Sequence, residues 1–185
     1  MKKTLHMVAV LMVLGFISGF SLVRMEEYAA PRIEAHRREA VEASIYAIFP
    51  KGKSYKVLEL GGREIFEVFG SSRSPIGYAF TGKGKGYQDD IVVMIGLYPA
   101  LTRLAGIEIL RSVETPGLGG EIVKPFFKNQ FQNLSASEPI RYIVGRAPAS
   151  DSEIQAITGA TVTSRSLVRI LNGEIEAVAK LLRQK

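Results

Sequence analysis

The stretch ITGATVTSRS, residues 157–166, decides how the rest of this chain is read. Thr158, Thr161, Thr163 and Ser164 crowd around Gly159 and Ala160, directly ahead of a long amphipathic segment. In that segment Leu167, Leu171, Ile175, Val178 and Leu182 recur at helical spacing, with Arg169, Glu176 and Lys180 among the polar positions. Gly173 weakens the helix without ending it. Thr and Ser are favoured helix N-caps, so Thr163 or Ser164 is expected to cap it. One cap needs one hydroxyl, and the others want another use. Thr161 falls at the expected helix start, where unpaired N–H groups and the positive end of the helix dipole suit a phosphate. Gly159 and Ala160 leave that hydroxyl accessible, but a threonine is a poor nucleophile without a base. Attachment of a phosphate here would need an outside enzyme.

Upstream, two further stretches are candidates for chemistry. ETPGLGG, residues 114–120, sits between an expected strand and helix. Pro116 followed by Gly117 is the pair a type II turn wants, and Gly119-Gly120 keeps the backbone bare enough for a planar ligand. GKGKGYQDDI, residues 82–91, matches neither a Walker A loop nor a dinucleotide fingerprint. It reads as a hairpin loop in which Lys83 and Lys85 are available to stabilise an anion.

Composition narrows the chemistry. The 185 residues carry a formal net charge of +6 and hold no cysteine, which removes disulfides, thiolate nucleophiles and cysteine-held metal clusters. The two histidines, His6 and His36, lie in the first fifth of the chain, so a Ser–His triad or a His-bound haem is excluded from the main domain. Redox work there would require a borrowed organic cofactor. Lys and Arg are interspersed with Asp and Glu, with no basic-aromatic run of the kind that binds nucleic acid. A basic surface near an anionic membrane accounts for the charge better.

Thr4 to Val23 is an uncharged run of twenty residues, counting His6 as neutral, long enough as a helix to cross a bilayer. The run is long for a signal peptide, and the only A-x-A-like spot, near Ala29-Ala30, precedes Pro31. A retained single-pass anchor is expected, placing the main domain on the extracytoplasmic, periplasmic side of the inner membrane. The expected organisation is a tail and membrane helix over 1–25, a juxtamembrane helix over 26–50 and a domain over 51–185. Within that domain Tyr55–Leu60, Ile65–Phe69, Ile76–Thr81, Asp90–Leu97 and Leu104–Val113 read as strands joined by short turns. Glu121–Leu134 reads as a helix and Arg141–Gly145 as a short strand. The fold class is therefore α+β, with helices packed on an antiparallel sheet.

TGATVTS (158–164) resembles the flavinylation motif of FMN-binding domains in ion-translocating respiratory complexes. ETPGLGG resembles the same family's second signature, and GKGYQDDIVVMIGL the strand before it. Two signatures in the right order, with one membrane span, make the chain similar to the G subunits of Rnf-type electron-transport complexes. The C subunits of sodium-translocating NADH:quinone reductases share the domain. The resemblance implies FMN joined through its phosphate to Thr161 by a dedicated flavin transferase, with Thr158, Gly159 and Ala160 around it. It also implies that Glu114, Thr115, Gly117, Leu118 and Gly119 lie at the flavin ring. The implied role is electron relay between other membrane and redox subunits, without a substrate pocket of its own. Gln155 stands where the family usually has Asp. Two alternatives carry other expectations: covalent FMN in a different extracytoplasmic reductase chain, and a non-redox bitopic scaffold protein whose hydroxyl cluster is only a cap.

Overall fold

The computed structural model describes residues 2–184. A single helix, α1, runs from Lys2 to Ile48 and includes Pro31. Its apolar part is long and hydrophobic enough to cross a membrane and is not buried within the protein. By contacts the chain divides into Met1–Ala40 and Val41–Lys185. After the apolar run, the first unit carries local pairs such as Arg24 with Glu27 and Arg38 with Glu34, and Arg32 stacks on Tyr28.

The second unit is built on a five-stranded antiparallel meander, β1 (Ser54–Leu60), β2 (Arg63–Phe69), β3 (Pro75–Lys85), β4 (Asp90–Leu97) and β5 (Leu104–Arg111), in sequential order. The expected strands and their antiparallel order are thus found. β3 is longer than its apolar pattern, because Gly82–Lys85 pair with Asp90–Val93 of β4 instead of forming a loop. Only Gly86–Asp89 turn, closed by the Gly86 amide on the Asp89 carbonyl at 2.8 Å.

β4 is almost wholly buried because the sheet is covered on both faces. On one face lies α3 (Thr161–Arg183), whose Leu167, Leu171 and Val178 pack with Phe80, Ile91, Val93 and Ile95. On the other face the last turns of α1 set Ile45, Ile48 and Phe49 against Val68, Ala79 and Met94. This second contact depends on close approach at Gly77, where a Cβ would overlap the Phe49 ring and lie 2.6 Å from the Leu97 carbonyl oxygen.

The helix expected over Glu121–Leu134 is broken into three short pieces. These are a 3-10 turn at Gly119–Val123, α2 at Pro125–Lys128 and a second 3-10 turn at Asn129–Phe131. Pro125 is the cause: it forces Lys124 into an extended conformation, φ −81° and ψ 148°, which no helix passes through. The pieces still bury Ile122, Phe127 and Phe131 in the main core. The short strand expected near residue 141 is β6 (Arg141–Ile143), and it pairs in parallel with β7 (Glu153–Gln155), which has no sequence signal of its own.

Gly77→Ala should destabilise the domain by about 1–3 kcal/mol through overpacking against Phe49. Denaturant titration measures it, and a variant as stable as the wild type would show that the helix end does not seat on β3.

Candidate functional site

The two signatures meet at one end of the sheet. β5 finishes beside the start of β4, with Arg111 opposite Val92, so the loop after β5 lies next to the Gly86–Asp89 turn. In that loop the Leu118 amide bonds the Thr115 carbonyl at 3.1 Å, and Gly117 has φ +77°. This is the turn that Pro116-Gly117 predicts. A matching turn precedes α3: the Ala160 amide bonds the Ile157 carbonyl at 3.0 Å and Gly159 has φ +80°. The turns abut, for a Cβ on Gly159 would lie 3.1 Å from Cδ2 of Leu118.

What ties them together is Glu114, which is only 7% exposed. Its Oε1 accepts the amides of Tyr87 at 2.7 Å and Gln88 at 3.0 Å. Its Oε2 accepts the hydroxyl of Thr163 at 2.7 Å. Gln88 adds a bond from Nε2 to Thr115 Oγ1 at 2.9 Å. Gly119 backs the pair, since a Cβ there would lie 2.5 Å from Thr163 Oγ1 and 2.6 Å from Glu114 Oε2. A buried carboxylate is tolerated only with such a set of donors.

The hydroxyls of the opening motif separate into two classes. Thr163 and Ser164 are buried and engaged, but neither caps α3. Thr163 is bound to Glu114, while the Ser164 hydroxyl accepts the Ile157 amide and donates to the Ala160 carbonyl, both at 3.1 Å. The expectation that one of them is the cap fails because both side chains point into the protein. The N-cap is Ala160, with no side-chain bond to the helix. Among the described residues the amides of Thr161, Val162 and Thr163 therefore have no acceptor. Thr161, the first helical residue, is partly exposed and Thr158 is exposed, and neither hydroxyl is hydrogen-bonded within the described residues.

Residues 86–176 match the family model described as FMN-binding domain. This stretch belongs to the FMN-binding domain family. The range begins at the turn held by Glu114 and closes on α3, so it contains both signatures. The G subunit of the Na(+)-translocating ferredoxin:NAD(+) oxidoreductase complex of Acetobacterium woodii is 28% identical over 93% of this chain and 90% of its own length. Its counterpart in the proton-translocating ferredoxin:NAD(+) oxidoreductase complex of Clostridium ljungdahlii is 24% identical over 88% of this chain and 85% of its own. The crystal structure of Shewanella oneidensis NqrC superposes with a TM-score of 0.58 at 19% identity, covering 68% of this chain and 64% of that one. That likeness establishes the fold.

Within the FMN-binding domain the donor set suits a phosphate. Three open amides at the positive end of a 23-residue helix converge beside a free threonine hydroxyl. Leu118, which abuts Gly159, is 45% exposed and Val162, the residue after Thr161, is 40% exposed. Glu114 and Gly119, which the resemblance puts at the flavin ring, are both buried, with Glu114 held by Thr163 and by the Tyr87 and Gln88 amides. Lys83 and Lys85 are committed as well: both ammonium groups lie 3.0 Å from the carboxylate of Asp90. Those bonds, first from Lys85 and then from Lys83, hold the Asp90 carboxyl below its ordinary value. Gln155 is exposed, with its backbone clamped by the Gln130 side chain at 2.7 and 3.2 Å. Its neighbours Gln130, Phe126, Pro148 and Thr158 line an open groove of about 630 Å³.

Sequence reasoning missed the bonds of Tyr87, Gln88 and Thr163 to Glu114. Glu114→Ala should destabilise the domain by at least about 2 kcal/mol, because two amides and a hydroxyl lose a charged acceptor. Glu114→Gln should lose less, keeping one carbonyl for the Tyr87 and Gln88 amides. Equal unfolding midpoints for wild type and Glu114→Ala would contradict the assigned bonds.

Proposed function

We propose that this chain is a membrane-anchored electron-transfer subunit of an Rnf-type ion-translocating complex, with FMN joined through its phosphate to Thr161. The observation that carries the reading is the selection among the motif's hydroxyls. Thr163 and Ser164 are buried and bonded, and of the two unbonded hydroxyls, Thr158 and Thr161, it is Thr161 that sits in the helix on the uncapped amides. The similarity to G subunits over most of the chain supports membrane and redox partners.

Each part of the site then has a task. Thr161 offers the oxygen that carries the phosphate, and the amides of Val162 and Thr163 offer hydrogen bonds to it. Glu114 fixes the first turn of the helix through Thr163, so that the acceptor hydroxyl is presented in one orientation. Leu118 and Val162 give apolar surface to a ring tethered at Thr161. FMN, once attached, supplies a centre that accepts and donates electrons singly or in pairs. The domain holds no histidine and its nearest buried carboxylate is committed, so a flavin transferase must supply the base that activates Thr161. The transferase must also bind the FAD donor, whose pyrophosphate bond breaks and releases AMP as the threonine oxygen takes the FMN phosphate.

Intact mass and in-gel fluorescence test the attachment. The wild type should carry one FMN and fluoresce after denaturation, Thr161→Ala should be dark, and Thr158→Ala should stay bright. A fluorescent Thr161→Ala band would place the flavin elsewhere.

We further propose that α1 remains as a single-pass anchor in the inner membrane and that the domain lies on the extracytoplasmic side. The apolar stretch of α1 supports the anchor. Protease added to spheroplasts should then digest residues 51–185. Protection until the cells are lysed would put the domain in the cytoplasm.

A further inference from the structure

α3 has Lys180 and Arg183 in its last turn, where its dipole favours cations, but carries two further positive charges toward the opposite, unfavourable end. Arg165 and Arg169 fall in its first three turns, and the helix has no Asp or Glu before Glu174. Cations near a helix N-terminus oppose the partial positive charge of the open amides, and helices ordinarily place Asp or Glu there. Arg169 has a local use, lying 3.4 Å from the Lys85 carbonyl oxygen. Arg165 is exposed and makes no hydrogen bond, ion pair or ring contact with any described residue. The acids on neighbouring elements are taken: Glu114 by Thr163 and two amides, and Glu121 by Lys124 at 2.8 Å.

Arg165 stands four residues after Thr161, so the two share one face of the helix one turn apart. A helical Cα–Cβ bond tilts toward the N-terminus, which carries the long side chain of Arg165 back over the turn that starts with Thr161. Resting on the assignment of a phosphodiester to Thr161, we infer that Arg165 is the counter-ion of that phosphate. The cradle then has two parts, amides from below and a guanidinium from the solvent side, and the diester's single negative charge resolves the clash of arginine with dipole. A guanidinium fits the task because its fork of donors matches phosphate oxygens and it stays charged at any working pH.

The test crosses the residue with the modification. Full-length chain in detergent is prepared with and without co-expressed flavin transferase, as wild type, Arg165→Gln, Arg165→Lys and the remote exposed control Arg73→Gln. Intact mass and peptide mapping first establish one FMN on Thr161. Failure there overturns the parent assignment, and this inference with it. The gain in melting temperature on flavinylation is then compared. The gain should be smaller in Arg165→Gln than in wild type by about 1–3 °C, as for one exposed ion pair. Lys should restore part of it, Arg73→Gln should match the wild type, and the difference should shrink in high salt. The phosphorus resonance of the diester should move in Arg165→Gln and stay put in Arg73→Gln. If Arg165→Gln refuses flavin while Arg165→Lys accepts it, the charge acts already during attachment, which also supports the inference. Equal gains in wild type and Arg165→Gln with an unmoved resonance would overturn it. So would two folded variants that both refuse flavin, since the charge-preserving one should not.

Discussion

The buried carboxylate of Glu114 is the interaction on which the site depends. It accepts hydrogen bonds from the β3–β4 turn, through Tyr87 and Gln88, and from the start of α3, through Thr163. Those two segments are not neighbours in the sheet ladder, and the loop that brings Glu114 between them is closed by the Pro116-Gly117 turn. Burying a charge costs several kcal/mol unless its lone pairs are used, so the loop, turn and helix start must assemble together or not at all. The bare backbone at Gly119 is a consequence, because a side chain there would occupy the space of the two bonded oxygens.

The same arrangement explains an apparently weak helix start. Ala at the N-cap forgoes about 1 kcal/mol that Ser or Asp would contribute. A conventional cap would also occupy an amide that is otherwise open to a phosphate. Thr163 and Ser164 look like caps in the sequence, yet they face inward and anchor the turn to Glu114 and to the preceding segment. Local stability is given up at Ala160 and recovered in the bonds beneath it. The outward surface is left with one free hydroxyl on the helix, open amides, and the apolar side chains of Leu118 and Val162.

Much of the fold was legible because local pattern and global fold agree. The alternation and turn residues of β1 to β5 marked a meander, and the helical spacing of Leu167 to Leu182 marked α3. Failures occurred where the deciding contact is distant or the pattern is ambiguous. Pro125 broke a helix whose apolar spacing is otherwise convincing, and Gly82–Lys85 extend β3 although their glycines read as loop. β7 is three residues long and exists only through its pairing with β6. In the site, the turn at Pro116-Gly117 was visible in the sequence, whereas the turn at Gly159 emerged only in the structure. The inward roles of Thr163 and Ser164 were not visible either, because a cap and an inward-facing hydroxyl use the same residue types and Glu114 lies 49 positions away from Thr163.

Under the proposed assignment, the Glu114–Thr163 bridge holds the helix start open so that Thr161 receives the phosphate. A crystal structure of the chain after reaction with its flavin transferase tests this directly. The phosphorus should be bonded to Thr161 Oγ1, its oxygens within about 3 Å of the Val162 or Thr163 amide, with the Glu114–Thr163 hydrogen bond intact. A phosphate on Thr158, or a Glu114 carboxylate turned away from Thr163 toward the flavin, would contradict it.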